Sequence, residues 1–88
     1  MNLAQVLLDQ NRSRPDSPAY QDDQREISFG QLERETRQLA TWLTKQGLEP
    51  NEIVTIAMPN SIDAVKSFLA VILAGGISAM VNPVAKKR

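Results

Sequence analysis

The residue types that carry acid–base, nucleophilic or metal chemistry are scarce in this chain. Its 88 residues include no cysteine and no histidine, which removes thiolate catalysis, cysteine metal sites and the commonest general base. Ser28 has no base near it in the sequence, and its position before an apolar helical pattern is typical of a helix cap. We therefore predict no catalytic, cofactor-binding or metal-ligating residue within residues 1–88.

Three residue pairs invite ligand-binding interpretations, and the sequence context of each argues against it. A phosphate loop precedes a helix, so that backbone N–H groups at the helix start face the anion. Gly75-Gly76 instead follows a predicted helix and precedes a strand. Asp22-Asp23 lies in a polar stretch between two short strand-like runs, which is typical of a hairpin turn rather than a metal site. Asn60-Ser61, at a predicted helix start, is explained by capping alone.

Composition and charge narrow the class of protein further. Lysine and arginine together number 10, as do aspartate and glutamate, so no net field favours nucleic acid or an acidic membrane. The closing Lys86-Lys87-Arg88 lacks the aromatic and basic partners of a nucleic-acid patch. Residues 62–81 are too interrupted by polar residues and glycine to form a membrane span. The polar N-terminal region shows no secretory signal, so we predict a cytoplasmic protein with no nucleic-acid partner.

The chain is organised around a strand–helix–strand pattern over residues 53–83. Ile53 to Met58 is a β-branched run that predicts a buried strand, and Ile77 to Val81 predicts a second. Between them a helix is expected from about Ser61 to Ala74, with Asn60 as its cap and Gly75 in the left-handed position that ends it. Two strands joined by a helix normally lie parallel with a right-handed crossover. The pattern therefore predicts a central βαβ unit, closed by Asn82-Pro83.

The helix over residues 61–74 has an unusually wide apolar surface, about 200° of its circumference. Val65, Leu69 and Ile72 lie at the middle of this arc, where the sheet is expected. Ala64, Phe68 and Val71 lie on one shoulder, where a second apolar neighbour is needed. Because no other segment looked able to supply that neighbour, the sequence predicts that Val71 is exposed in the isolated chain.

The first half of the chain predicts three smaller elements. Asn2 caps a short helix whose Leu3, Val6 and Leu7 share one face. Ala19–Gln21 and Glu26–Ser28 form a β-hairpin around a polar turn. A capping box at Ser28 and Gln31 opens an amphipathic helix that runs to about Gln46 and ends at Gly47. This helix is expected on the surface, with the apolar face Phe29, Leu32, Leu39, Ala40 and Leu43. The predicted fold class is α/β.

Read in order, several segments resemble the amino-terminal end of the adenylate-forming, or AMP-binding, acyl-CoA synthetase family. Pro15 to Tyr20 is similar to the family's "PD-PAL" motif, and Ile27 to Leu32 is similar to its "(L)TYxEL" motif. Leu39 to Leu48 resembles its "LA..L...G(V/L)" helix end. Ile56 to Ser61 and Leu69 to Gly76 resemble "(V)(A)I..(P)NS" and "LA.L.AG(G/A)".

The resemblance implies an enzyme that uses ATP to convert a carboxylic acid to an acyl-adenylate, then transfers the acyl group to coenzyme A. It implies ATP, magnesium and coenzyme A as family ligands, with the phosphate loop, carboxylates and catalytic lysine beyond residue 88. Residues 1–88 are then an incomplete N-terminal portion of the ligase domain, inactive alone, whose partner is the remainder of that domain. Three alternatives stay open: a peptide-synthetase adenylation fragment, an interaction module that associates through helix 61–74, and a small-molecule-binding α/β domain.

Overall fold

The computed structural model describes residues 2–81 and confirms the α/β fold class. Asn82-Pro83 and Lys86-Lys87-Arg88 lie outside the described residues. Within residues 2–81, three helices and four strands follow one another in this order: α1 (Leu3–Gln10), β1 (Pro18–Gln21), β2 (Glu26–Ser28), α2 (Phe29–Lys45), β3 (Ile53–Ala57), α3 (Ile62–Leu73) and β4 (Ile77–Val81). No helix among these has both the length and the apolar character needed to cross a membrane.

The predicted βαβ unit is present at the centre of the fold. Strands β3 and β4 pair in parallel, with Ile53 opposite Ile77. Helix α3 connects them and lies against one face of this two-stranded sheet. The Ser78 hydroxyl donates a hydrogen bond of 2.9 Å to the carbonyl oxygen of Phe68, which joins β4 to the helix. Ile56 of β3 points to the same side and is buried.

Helix α3 begins and ends almost as its sequence predicts. The cap is Ser61 rather than Asn60, because the Ser61 hydroxyl accepts the Ala64 N–H at 3.1 Å. At the other end Gly75 has φ +95°, a left-handed conformation that suits glycine. The following N–H of Gly76 donates to the carbonyl of Val71 at 2.9 Å, which completes a Schellman motif.

The hairpin and helix α2 are also confirmed, with one difference at the junction. Strands β1 and β2 pair antiparallel, and the Ser28 hydroxyl accepts the Gln31 N–H at 3.2 Å to cap α2. The Gln31 side chain donates instead to Glu35 at 2.8 Å, so the predicted capping box is only half formed. Gly47, at φ +100°, ends the helix as predicted.

Helix α2 supplies the second apolar neighbour that α3 needs. The sequence predicts, in contrast, that no other segment of the chain supplies this neighbour. The two helices pack against each other, and the expectation of an exposed Val71 is wrong, since only 2% of this residue is exposed. The buried positions of α2 are Leu32, Thr36 and Ala40. Thr36 lies on the same face of α2 as Leu32 and Ala40, four residues from each, and its side chain is completely buried.

Helix α1 is turned differently from its prediction. Ala4 and Leu8 are its buried residues, whereas Leu3 and Leu7 remain exposed. The Asn2 side chain explains the orientation. Its oxygen accepts the Gln5 N–H at 3.2 Å, and its amide donates to the carbonyl oxygen of Ile72 at 2.6 Å. One side chain therefore caps α1 and also fixes that helix to the C-terminal end of α3.

Candidate functional site

An apolar cavity of about 410 Å³ lies between the hairpin, the start of α2, one side of α3 and strand β4. Its size falls in the range of small-molecule sites. Twelve residues line it: Leu7, Ala19, Tyr20, Phe29, Leu32, Asn60, Ser61, Ala64, Val65, Phe68, Leu69 and Met80. No sequence pattern predicts this cavity, and the wide apolar arc of α3 is the one signal that points to it.

The polar groups of the apolar cavity do not form a catalytic set. Tyr20, Asn60 and Ser61 are the polar members of its lining, and the Ser61 hydroxyl is engaged in capping α3. General acid–base catalysis requires a titratable group within hydrogen-bond reach of the reacting atom, and among the described residues the lining of this cavity includes no carboxylate, histidine or lysine. The arrangement can hold apolar groups. That the chain carries no catalytic residue remains a prediction.

Asp22 has a structural role that joins the hairpin turn to the start of α3. One carboxylate oxygen accepts the N–H groups of Gln24 and Arg25 at 2.8 and 2.9 Å, and the other accepts the Ile62 N–H at 2.8 Å. These hydrogen bonds, of which the one from Ile62 has the largest effect, lower the pKa of Asp22 below its ordinary value. Within residues 2–81, no cluster of three or more acidic side chains is placed to hold a metal ion.

Glu35 of α2 is the centre of an ion-pair network. Its carboxylate lies 3.2 Å from Lys66 Nζ and 3.4 Å from an Arg25 guanidinium nitrogen, and it accepts a hydrogen bond from Gln31. Burial raises the pKa of Glu35, but the hydrogen bonds from Gln31, Lys66 and Arg25 outweigh it, so the pKa is lowered. The network links the hairpin, α2 and α3, and its groups are paired with one another.

The glycine pair at the end of α3 is occupied by the fold. The Gly75 N–H donates to Ile72 and the Gly76 N–H to Val71, so neither points towards a ligand. An added Cβ at Gly76 would lie 3.0 Å from Val71 Cγ1 and 3.1 Å from the Glu52 carbonyl oxygen. Close packing therefore explains Gly76, in agreement with the sequence argument against a phosphate loop.

The second notable surface is the side of the β3–β4 sheet opposite α3. Because side chains alternate along a strand, residues 53, 55 and 57 of β3 and residues 77, 79 and 81 of β4 point to this side. We call these six residues, Ile53, Thr55, Ala57, Ile77, Ala79 and Val81, the outer sheet face. All but the half-buried Ala79 are exposed, and none is charged.

Comparisons with known proteins agree with this fold. The chain is 34% identical over 82 residues to the 3-oxocholest-4-en-26-oate–CoA ligase of Rhodococcus rhodochrous, covering 93% of this chain and 15% of that protein. It is 35% identical over 75 residues to tyrocidine synthase 1 of Brevibacillus parabrevis, covering 85% of this chain and 7% of that one. Its structure matches a benzoate CoA ligase from Burkholderia xenovorans LB400 with a TM-score of 0.92 and 28% identity, over 98% of this chain and 18% of the ligase.

The chain thus spans about 15% of the length of the CoA ligase that it matches in sequence. The sequence profile of the AMP-binding enzymes matches residues 7–88, which is nearly all of it. Because this profile matches nearly all of the chain and the benzoate CoA ligase has the same fold, the chain belongs to the AMP-binding enzyme family.

Proposed function

We propose that this chain is the N-terminal part of an ATP-dependent carboxylic acid–CoA ligase. The complete ligase domain converts an acid and ATP to an acyl-adenylate, and then to an acyl-CoA. The observation that carries the proposal is that a sequence comparison and a structure comparison both find a CoA ligase. A CoA ligase is 34% identical to the chain in sequence, and another has the same fold with a TM-score of 0.92.

In this proposal the chain supplies structure, and the remainder of the domain supplies the chemistry. Among the described residues, the lining of the apolar cavity includes no carboxylate, histidine or lysine, and the charged groups Asp22 and Glu35 are engaged with neighbouring parts of the fold. Phosphoryl and adenylyl transfer requires cationic groups that neutralise charge on the phosphates. We assign the contacts with ATP, magnesium and coenzyme A to the rest of the domain. Fatty acid metabolism and a cytoplasmic location belong to the same proposal.

The test is acid-dependent ATP–pyrophosphate exchange. The chain is assayed alone and after co-expression with the Burkholderia benzoate CoA ligase from which the matching segment has been removed. We expect no exchange from the chain alone, none from the shortened ligase alone, and benzoate-dependent exchange from the pair. A folded complex of the two that shows no exchange would contradict the proposal.

A second candidate is an adenylation domain of a peptide synthetase, favoured by the 35% identity to tyrocidine synthase 1. The two candidates differ in the acid that they activate and in the product that they form. A CoA ligase forms a free acyl-CoA, whereas a peptide-synthetase domain activates an amino acid. Mass spectrometry of the products from the complete domain decides between them. Self-association through helix 61–74 remains a prediction, and it is tested by light scattering of the isolated chain.

A further inference from the structure

We infer that the apolar cavity is a binding site for a small, neutral aromatic molecule that carries a hydroxyl or amide group. The cavity has a volume of about 410 Å³, which lies within the range of small-molecule sites. A neutral ligand differs in charge from the carboxylic acid that the proposed function activates. The cavity is therefore a site in addition to the active site of the ligase.

The aromatic side chains of the protein are concentrated in this cavity. The chain contains two phenylalanines, one tyrosine and one tryptophan, and all of them except Trp42 line the cavity. Tyr20 comes from β1, Phe29 from α2 and Phe68 from α3, so three different elements contribute one ring each. The three side chains are half-buried, and their accessible faces and edges favour a further ring through offset-stacked or edge-to-face contacts. The lining therefore favours an aromatic ligand.

Polar contacts hold the walls of the cavity together, so the cavity exists before a ligand binds. The Ile62 N–H donates to the Asp22 carboxylate at 2.8 Å, which fixes the hairpin turn to the start of α3. The Phe29 N–H donates to the Ser17 carbonyl oxygen at 3.0 Å, which joins the start of α2 to the residue before β1. The Arg14 guanidinium lies 5.4 Å from the centre of the Phe29 ring and holds it by a cation–π contact. A site that is already formed costs little ordering free energy on binding.

The start of α3, beside the cavity, is not available to a negatively charged ligand. Its Ile62 N–H donates to the Asp22 carboxylate at 2.8 Å. Its Ala64 N–H donates to the Ser61 hydroxyl at 3.1 Å. The groups that would attract an anion at a helix start are therefore already used. Of the residues that the structure describes, none with a charged side chain lines the cavity, and burial of an unpaired carboxylate is costly.

The carboxylates near the cavity are not available to a positively charged ligand either. Asp22 accepts three backbone N–H groups. The Asp63 carboxylate lies 3.7 Å from Lys66 Nζ and 3.8 Å from an Arg25 guanidinium nitrogen. A cation in the cavity would lose its hydration without gaining an unpaired carboxylate in return. The surroundings therefore favour a neutral ligand.

Neutral hydrogen-bonding groups complete the lining at the start of α3. The Ser61 hydroxyl accepts the Ala64 N–H and keeps its own proton, which it can donate. The Asn60 side chain has two donors and one acceptor group, and its exposure places it at the rim of the cavity. A hydroxyl or amide group of a ligand can bond to these side chains while its ring lies among the three aromatic residues.

The test titrates the full chain with 2-naphthylmethanol, and binding is measured by calorimetry and by the chemical shifts of the backbone amides. 2-Naphthoate and 2-naphthylmethylammonium have the same ring system and carry a negative and a positive charge. Ala19→Leu enlarges a half-buried side chain of the lining, and Ala74→Leu makes the same change at a half-buried residue outside the lining. Phe68→Leu keeps an apolar side chain but removes one ring. Circular dichroism and urea denaturation show whether each variant folds.

We expect the wild-type chain and Ala74→Leu to bind 2-naphthylmethanol with equal affinity, and the amide shifts to change at the lining residues of α3. Ala19→Leu should weaken binding about tenfold because it fills space that the ring needs. Phe68→Leu should weaken it by about 2- to 12-fold through the loss of one ring contact. The two charged compounds should bind the wild-type chain at least about tenfold more weakly than the alcohol.

Unchanged binding by both folded lining variants, or equal losses in Ala19→Leu and Ala74→Leu, would overturn the assignment of the site. Equal or tighter binding of a charged compound would overturn the class of ligand, and a folded wild-type chain that does not bind the alcohol would overturn both. If the alcohol binds the chain alone but not its complex with the shortened benzoate CoA ligase, the rest of the domain fills the cavity, and the inference is wrong. Each of these results leaves the proposed function in place, because that function is judged by pyrophosphate exchange.

Discussion

Thr36 offers the sharpest test of how α2 packs in this fold. Its side chain is completely buried, and its hydroxyl oxygen has no hydrogen-bond partner within the described chain. A buried, unpaired hydroxyl costs about 1–3 kcal/mol relative to a solvated one. Thr36→Val keeps the shape and the β-branch of the side chain and replaces the hydroxyl with a methyl group. Threonine and valine have similar helix propensities, so this term is small.

We therefore expect Thr36→Val to raise the free energy of unfolding by about 1–2 kcal/mol. For a domain of this size each kcal/mol corresponds to roughly 4–8 °C in Tm. Thr36→Ser keeps the hydroxyl and removes one methyl group, so it should lower stability by about 1 kcal/mol. The control is Thr41→Val on the same helix, where the hydroxyl is exposed and the change should stay within about 0.5 kcal/mol.

Urea denaturation followed by circular dichroism measures all three variants, with unchanged m-values required for the comparison. The reasoning is refuted if Thr36→Val is less stable than the wild type while Thr41→Val is neutral. That result would mean that the Thr36 hydroxyl has a partner, such as a bound water molecule, whose loss outweighs the gain from an apolar contact.

Four further substitutions probe other contacts. Ser28→Ala should lower the free energy of unfolding by about 1 kcal/mol through loss of the α2 cap, and a change below 0.3 kcal/mol in urea denaturation would show that the cap is dispensable. Leu69→Ala should lower the free energy of unfolding by about 2–5 kcal/mol, and Val71→Lys should unfold the chain, because both side chains are buried. If circular dichroism shows a soluble and folded Val71→Lys variant, the packing of α3 described here is contradicted. Asp22 has a lowered pKa, so its ionised form stabilises the fold above the ordinary value of 3.8, and this stability is lost as the pH falls through the lowered folded value. The urea midpoint of the wild type should therefore fall more steeply below pH 3.8 than that of Asp22→Asn, and parallel pH profiles would refute the assignment.

Local patterns predicted the elements of this fold well because each depends on residues close in sequence. The β-branched run from Ile53, the glycines at positions 47 and 75, and the cap at Ser28 act within one turn or one strand. Their conformations follow from propensity and hydrogen bonding at short range. The βαβ unit followed from these elements together with the rule for parallel connections.

The contacts that place these elements against one another were less predictable. Thr36 is polar and therefore absent from the predicted apolar face of α2, although its side chain is completely buried. Asp22 accepts the Ile62 N–H at the start of α3 across 40 positions in the sequence, and Asn2 donates to the Ile72 carbonyl across 70. Polar side chains of this kind are equally compatible with water, so only the assembled fold reveals their partners. The apolar cavity depends on the same arrangement and left no pattern of its own.

The bond from Asn2 to Ile72 also has a consequence for the order in which the chain folds during synthesis. Helix α1 has eight residues, fewer than an isolated helix needs to be stable in water. Its anchor at the end of α3 does not exist until residue 72 has left the ribosome. At about 5–20 residues per second, roughly 4–14 seconds pass between the synthesis of the first helix and that of its anchor. The N-terminal segment is therefore among the last parts of residues 2–81 to acquire its structure, although it is the first to be made.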